Sequence, residues 1–467
     1  MAAAAPTPTA PATTTAQVCP VPVVNAGVTG PPPGAMTNSP VGKIQHIVII
    51  IQENRTFDNI FHGFTEPSGR KSDYTEYGCD ETGKAIALTS VPFESQFSPD
   101  NGHADFYADY DNGKNDGFYA HNGATATDAS QGNNGLAYLP QTEVQPYFDM
   151  ATSGALDERF FHGITGPTYA SHLMFTAAST TYDGSPRHRV IGNASGSCSD
   201  PTTSKVAAID LDDPTVTGVI PCYTGVTTIN DLLDNAGLSW SYYSEPVTLP
   251  APGQAANVGY GMNGVPSYAQ DYAKANFTTN NITPSETFLT DVPAGKLAAV
   301  TWVTPDQVDS DHPAESTVEG PAWVEACVDA VGASQFYSST AIFVTWDDDG
   351  GMYDHVPPPQ KYAPFGLAMR IPLIAISPYA RTGQLIDTQM EPGSLIRFIE
   401  ETFGLPSLGA EDATSNSADD MFDFNQSPQA FTPIVSARYG RAHFLAHRPS
   451  GHVLDDDMLG PFGPTRL

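Results

Sequence analysis

The sequence predicts an α/β protein built on a mostly parallel central sheet flanked by helices, and two observations carry that expectation. One is KIQHIVIIIQ, residues 43–52, an unbroken run of β-branched residues that suits a strand buried on both faces. The other is spacing. Further apolar runs, VAAIDL, LSWSYYSE, LAAVTWVT, AIFVTW and IPLIAIS, are several times separated by helix-sized segments, as crossovers between parallel strands require.

Three of the intervening segments read as helices. TTINDLLDNAG stops at Gly237 directly before LSWSYY, and WVEACVDAVGAS leads into AIFVTW. SLIRFIEETFG holds its apolar residues at helical spacing up to Gly404, a glycine stop of the same kind. Residues 1–40, rich in Ala, Pro and Thr, cannot build a core and are expected to be a flexible N-terminal segment. Residues 41–467 are expected to form a single domain, with insertions at about 60–150 and 245–290 that rim the carboxyl edge of the sheet, where α/β proteins bind ligands. The stretch after about residue 420 reads as surface wrapping.

Composition narrows the function. Twenty Lys plus Arg against 52 Asp plus Glu give a formal charge of −32, which repels nucleic acid and anionic membranes and leaves no basic run to overcome the repulsion. So acidic an exterior suits either solubility alone or mildly acidic surroundings. No stretch is long and apolar enough for stable membrane insertion. The expectation is a secreted or periplasmic protein whose signal peptide is absent from this sequence. The five cysteines form no CxxC pair. Cys198 with Cys222, and Cys19 with Cys79, are plausible disulfides, with Cys327 left free and buried.

Four segments carry groups suited to chemistry. Glu53 and Asn54 follow the first strand at once, offering two hard oxygen donors on a rigid support, although polar residues often end strands. AIFVTWDDDGGMYDH, residues 341–355, ends a second strand in Asp347, Asp348 and Asp349, followed by two glycines, Asp354 and His355. Successive carboxylates repel unless a cation lies between them, so this is either a metal site or an acidic surface turn. GPTYASHLMFTAAS, residues 166–179, places Pro167 at the first helical position and Thr168 in the first turn, either as a cap or as a nucleophile facing an anion site. TPDQVDSDHP, residues 304–313, follows a strand and offers His312 as a proton donor; His103 is a further candidate in a loop.

In this order the blocks IQHIVIIIQENRTFDNIFHGF, LDERFFHGITGPTYASHLMF, VTPDQVDSDHP, AIFVTWDDDGGMYDHVPPP and IPLIAISPYARTGQLIDT resemble the bacterial phosphoesterase family of acid phosphatases and phospholipases C, whose core is alkaline-phosphatase-like. The resemblance covers roughly residues 43–410. It implies Glu53, Asn54, Asp347, Asp348 and Thr168 as metal ligands, Thr168 also as nucleophile, and His312 and His103 as phosphate-site histidines. It further implies a phosphothreonine intermediate, later cleaved by water. All-oxygen ligation suits Ca²⁺, Mg²⁺ or Mn²⁺, with iron or zinc not excluded. Asp348 stands where the family usually has Glu, and Ala170, Ser171 and His172 replace its usual Pro, Asn and Arg. No histidine occurs in YGMNGVPSYAQDY, where the family has one. The chain is expected to be without the added C-terminal β-rich domains of the larger phospholipases, and a phosphate-monoester substrate of the acid phosphatase kind is expected with it. The alternatives are a phospholipase C acting on phosphocholine lipids and a catalytically weakened, metal-containing binding or surface module.

Overall fold

A computed structural model describes residues 38–446 apart from 95–97, 121–134, 186, 195–204, 213–217, 222–225, 245–281, 307, 314–317 and 361–364. The central sheet has eight strands. In chain order they are β1 (His46–Gln52), β2 (Ala155–Asp157), β3 (Trp240–Ser244), β4 (Ile282–Pro284), β5 (Val300–Val303), β6 (Thr340–Trp346), β7 (Leu373–Ile376) and β8 (Gln384–Ile386). Their spatial order is β4-β3-β5-β1-β6-β7-β2-β8. All neighbours pair in parallel except β7, which runs antiparallel to both β6 and β2. The expected mostly parallel sheet is therefore present.

Strand β1 is fourth of the eight in spatial order: Ile47 to Ile51 have no exposed surface, and β5 and β6 flank it. That full burial is why its sequence shows no alternation of polar and apolar residues. The principal helices are α1 (Phe57–Phe61), α2 (His103–Tyr110), α3 (Gln141–Ser153), α4 (Thr168–Ala177), α5 (Ile229–Ala236), α6 (Glu319–Gly332) and α7 (Pro392–Phe403). Helices α5 and α7 end as the sequence predicts, on Gly237 and Gly404 in the left-handed region.

Some expectations change. VAAIDL does form a strand, Lys205–Asp210, but in a separate three-stranded antiparallel sheet beside α4. IPLIAIS supplies the one reversed strand, β7. The stretch after residue 420 is more than wrapping, because Phe422 and Phe424 are buried and Phe422 stacks on Phe398 of α7 at 5.2 Å. The N-terminal segment to residue 37, most of the 245–290 insertion, and Cys19, Cys198 and Cys222 lie outside the described residues. Cys79 is disulfide-bonded and Cys327 is free and buried.

Candidate metal centre and active site

Register builds the site. Gln52 stands opposite Trp346 in the β1–β6 pair, so the residues that follow each strand emerge side by side. The Asp347 N–H donates to the Gln52 carbonyl at 2.9 Å, and the Asn54 N–H donates to Asp347 Oδ1 at 3.0 Å. Asn54 takes a left-handed φ of +56°, a costly conformation for a non-glycine residue that turns the chain sharply off the strand end. Gly350 and Gly351 permit the facing turn. Both have positive φ, and a Cβ on Gly350 would stand 2.6 Å from the Asn54 carbonyl oxygen. Freedom to take positive φ at these two positions is what lets the backbone turn this closely.

Helix α4 brings the third element. Thr168 is its first residue, with Pro167 as N-cap rather than at the first helical position. One turn along, on the same face, His172 directs its imidazole at the carboxylates. His172 Nε2 lies 3.9 Å from Glu53 Oε1 and 3.8 Å from Asp347 Oδ2, and all three side chains are buried. Burial pushes the His172 imidazole down to about 3, so the ring is neutral. The set fits a divalent cation: two buried carboxylates and an imidazole whose Nε2 has no hydrogen-bond partner, all within 4.8 Å of one another. Leaving such a nitrogen unsatisfied costs about 1–3 kcal/mol, and an ion between the three groups removes both that cost and the carboxylate repulsion.

The remaining predicted residues are held by hydrogen bonds of their own. Asp348 is buried but outside the three-residue set; its Oδ1 accepts the Gly350 N–H at 2.8 Å and the Asn101 amide at 3.4 Å. His312 is buried on the loop leaving β5, and the Gln52 side chain clamps that loop to the end of β1. Its Oε1 accepts the Asp311 N–H at 3.0 Å while its Nε2 donates to the Asp309 carbonyl at 3.1 Å. The Asp311 carboxylate accepts from Tyr147 at 2.7 Å and Trp346 at 2.9 Å, and Arg55 donates to its carbonyl. His312 Nδ1 donates to the Pro313 carbonyl at 2.6 Å, which fixes the orientation of the ring. His103, the first residue of α2, is held in the same way: its Nδ1 lies 2.8 Å from the carbonyl of Thr165, three residues before Thr168.

His355 does not join the carboxylates. It pairs with Asp58 at 2.7 Å and Asp73 at 3.2 Å, in a cluster that also holds the fully buried Arg370. Arg370 Nε donates to Asp354 at 2.8 Å and Nη2 to Asp58 at 3.2 Å, binding the turn after β1 to the turn after β6. This is a frame for the site. Burial lowers the His355 imidazole, but Asp58 and Asp73 outweigh it and raise it to about 10.

The sequence reading missed His172, treating it only as a departure from a family pattern. Its spacing of four from Thr168 on a predicted helix was the available signal. It also passed over His162, buried behind α4 with Nε2 2.8 Å from Ser171 Oγ. The stretch YGMNGVPSYAQDY lies outside the described residues.

A parallel sheet carrying buried carboxylates at its carboxyl edge, faced by a helix with a hydroxyl and an imidazole in step, defines an α/β protein with a candidate divalent-cation centre. The chain belongs to the Phosphoesterase family, which it matches over residues 44–406. It is 25% identical over 422 residues to a non-hemolytic phospholipase C of Burkholderia pseudomallei, covering 77% of this chain and 55% of that one. It is 24% identical over 456 residues to phospholipase C B of Mycobacterium tuberculosis, covering 86% of this chain and 81% of that one. The chain thus spans about half the length of the first relative and four fifths of the second. Among solved structures, a protein in the alkaline phosphatase superfamily from Vibrio parahaemolyticus aligns over 82% of this chain and 73% of that one, at 10% identity and a TM-score of 0.36. No helix among the described residues is long and apolar enough to cross a membrane.

Proposed function

We propose that this chain hydrolyses phosphate esters at the carboxyl edge of its sheet, with Thr168 as nucleophile and Glu53, Asn54, Thr168, Asp347 and Asp348 around a divalent cation. The observation that carries this reading is the β1–β6 register, which sets Glu53 and Asn54 beside Asp347. A bound divalent cation would neutralise charge on the phosphoryl group and make the Thr168 hydroxyl more acidic. Thr168 gives its hydroxyl proton to solvent, Oγ1 attacks phosphorus, and the bond from phosphorus to the leaving oxygen breaks. His312 or His103, entering the step as an imidazolium, gives that oxygen its Nε2 proton. The neutral ring then takes a proton from the water that attacks phosphorus, the bond from phosphorus to Oγ1 breaks, and Oγ1 regains a proton from solvent.

The names of the relatives favour a phosphodiester of the phospholipase C kind over the monoester expected from the sequence. The bonded state of Cys79 supports an exported protein, since disulfides persist in oxidising compartments. The two esters are separated by comparing phosphocholine release from phosphatidylcholine with phosphate release from p-nitrophenyl phosphate, at equal enzyme and with the ion supplied. The proposed diesterase releases phosphocholine at the higher kcat/KM. A preference for p-nitrophenyl phosphate returns the assignment to the acid phosphatase kind. Turnover of neither, with tight binding of a phosphate ester, would mark a binding module.

A further inference from the structure

We infer that His172 is itself a ligand of the ion, so that the centre is a mixed nitrogen and oxygen site selecting a transition cation over Ca²⁺ or Mg²⁺. The inference rests on the metal-site reading above and deepens it.

Three observations carry it. First, His172 Nε2 stands 3.9 Å and 3.8 Å from oxygens of Glu53 and Asp347. These separations are too long for hydrogen bonds, yet two ligands at about 2.1 Å from one ion stand up to about 4.2 Å apart. Second, the ring is fully buried and Nε2 has no hydrogen-bond partner, although it is aimed between two carboxylates. An imidazolium serving as their counter-ion would close to hydrogen-bond distance. Third, the other nitrogen is occupied: Nδ1 lies 3.4 Å from the hydroxyl of Tyr242, a fully buried residue of β3. An N–H on Nδ1 directed at that hydroxyl leaves the lone pair on Nε2, as outer partners of metal-bound histidines do.

The chemistry of the donors then sets the ion. Ca²⁺ and Mg²⁺ take oxygen ligands, whereas imidazole suits Fe²⁺, Ni²⁺, Cu²⁺ and Zn²⁺, and Mn²⁺ serves as the paramagnetic probe of the site. The all-oxygen set expected from the sequence is revised by one nitrogen, on the helix that also carries Thr168.

The test uses the full chain, stripped with chelator and reloaded with Mn²⁺, and reads pulsed electron paramagnetic resonance. Nitrogen-14 modulation of the imidazole kind is expected, changing to the nitrogen-15 pattern when the protein is grown with ¹⁵N-histidine. That readout needs no variant. In His172→Gln the modulation should vanish while Mn²⁺ remains bound, and an Mn²⁺-over-Ca²⁺ preference of about 100-fold or more should fall at least tenfold. Bound Mn²⁺ with no nitrogen modulation, or equal affinity for Ca²⁺ and Mn²⁺, overturns the inference and leaves the oxygen site standing. Failure to bind any divalent ion overturns the metal-site reading, and this inference with it.

Discussion

Replacing Gly350 by alanine tests the close approach on which the site depends. At φ +60° the added Cβ costs about 1 kcal/mol in backbone conformation alone. It would also stand 2.6 Å from the Asn54 carbonyl oxygen and 2.7 Å from the Asn54 Cβ. Neither atom sits at the end of a flexible side chain, so the turn must shift, at a further cost of about 1–3 kcal/mol. Gly404 is the control, because its φ is +66° but nothing lies within 4 Å of its added Cβ. Unfolding entropy scales with length, so about 1 kcal/mol moves the midpoint of a chain this size by about 1 °C. Gly404→Ala should therefore lower the thermal midpoint by about 1 °C and Gly350→Ala by about 2–4 °C, measured in chelator at one scan rate. With the ion restored the gap should widen, since a displaced Asn54 holds the ion less well and binding to the native state alone adds stability. Coincident midpoints for the two variants in both conditions would show that the turns after β1 and β6 do not pack as described.

Thr168→Ala should lower kcat by about 1,000-fold or more and move the thermal midpoint little, because only a small buried hydroxyl and methyl are removed; wild-type turnover would exclude the threonine as nucleophile. Arg370→Met should destabilise by about 3–5 kcal/mol, read as a midpoint drop of similar size in degrees, because Asp354 stays buried without its cation and Asp58 keeps only His355. A drop within about 1 °C would mean that the cluster does not frame the site. His355 titrates at about 10 in the fold, above its ordinary value, so its contribution is complete below about pH 6.5 and is lost as pH rises through about 10. The midpoint gap between wild type and His355→Gln should accordingly be widest near pH 6 and close by about pH 10.5; a gap that grows with pH refutes the assignment. Chelation should remove turnover, and return of a divalent ion should restore it together with a higher midpoint.

The strands that position the site were legible because burial on both faces writes itself as a continuous apolar run. HIVIIIQ and TAIFVTW could hardly be read otherwise, and β3 and β5 followed from their apolar cores. Strands of three residues, Ala155–Asp157 and Gln384–Ile386, carry too little pattern to be seen. The direction of β7 was hidden for another reason: antiparallel pairing is a property of its neighbours, not of LIAI itself. Glu53, Asn54 and Asp347 were visible as strand-end groups, although only the register joins them. His172 was overlooked, because its spacing of four from Thr168 gives the helix face it shares but not which neighbour it will meet there. His355 misled in the opposite sense, since closeness in sequence to three aspartates is not closeness in space.

The same register has a consequence for how the chain comes into being. The Asn54 N–H finds the Asp347 carboxylate across 293 residues of sequence. Ribosomes add about 5–20 residues per second, so β1 leaves the tunnel about 15–60 seconds before β6 exists to pair with it. Through that interval a strand of five successive Ile and Val residues waits with both edges open, which is the profile of a segment that seeds cross-chain association. The geometry that unites the two halves of the centre therefore makes the nascent protein depend on whatever keeps its first strand from finding the wrong neighbour.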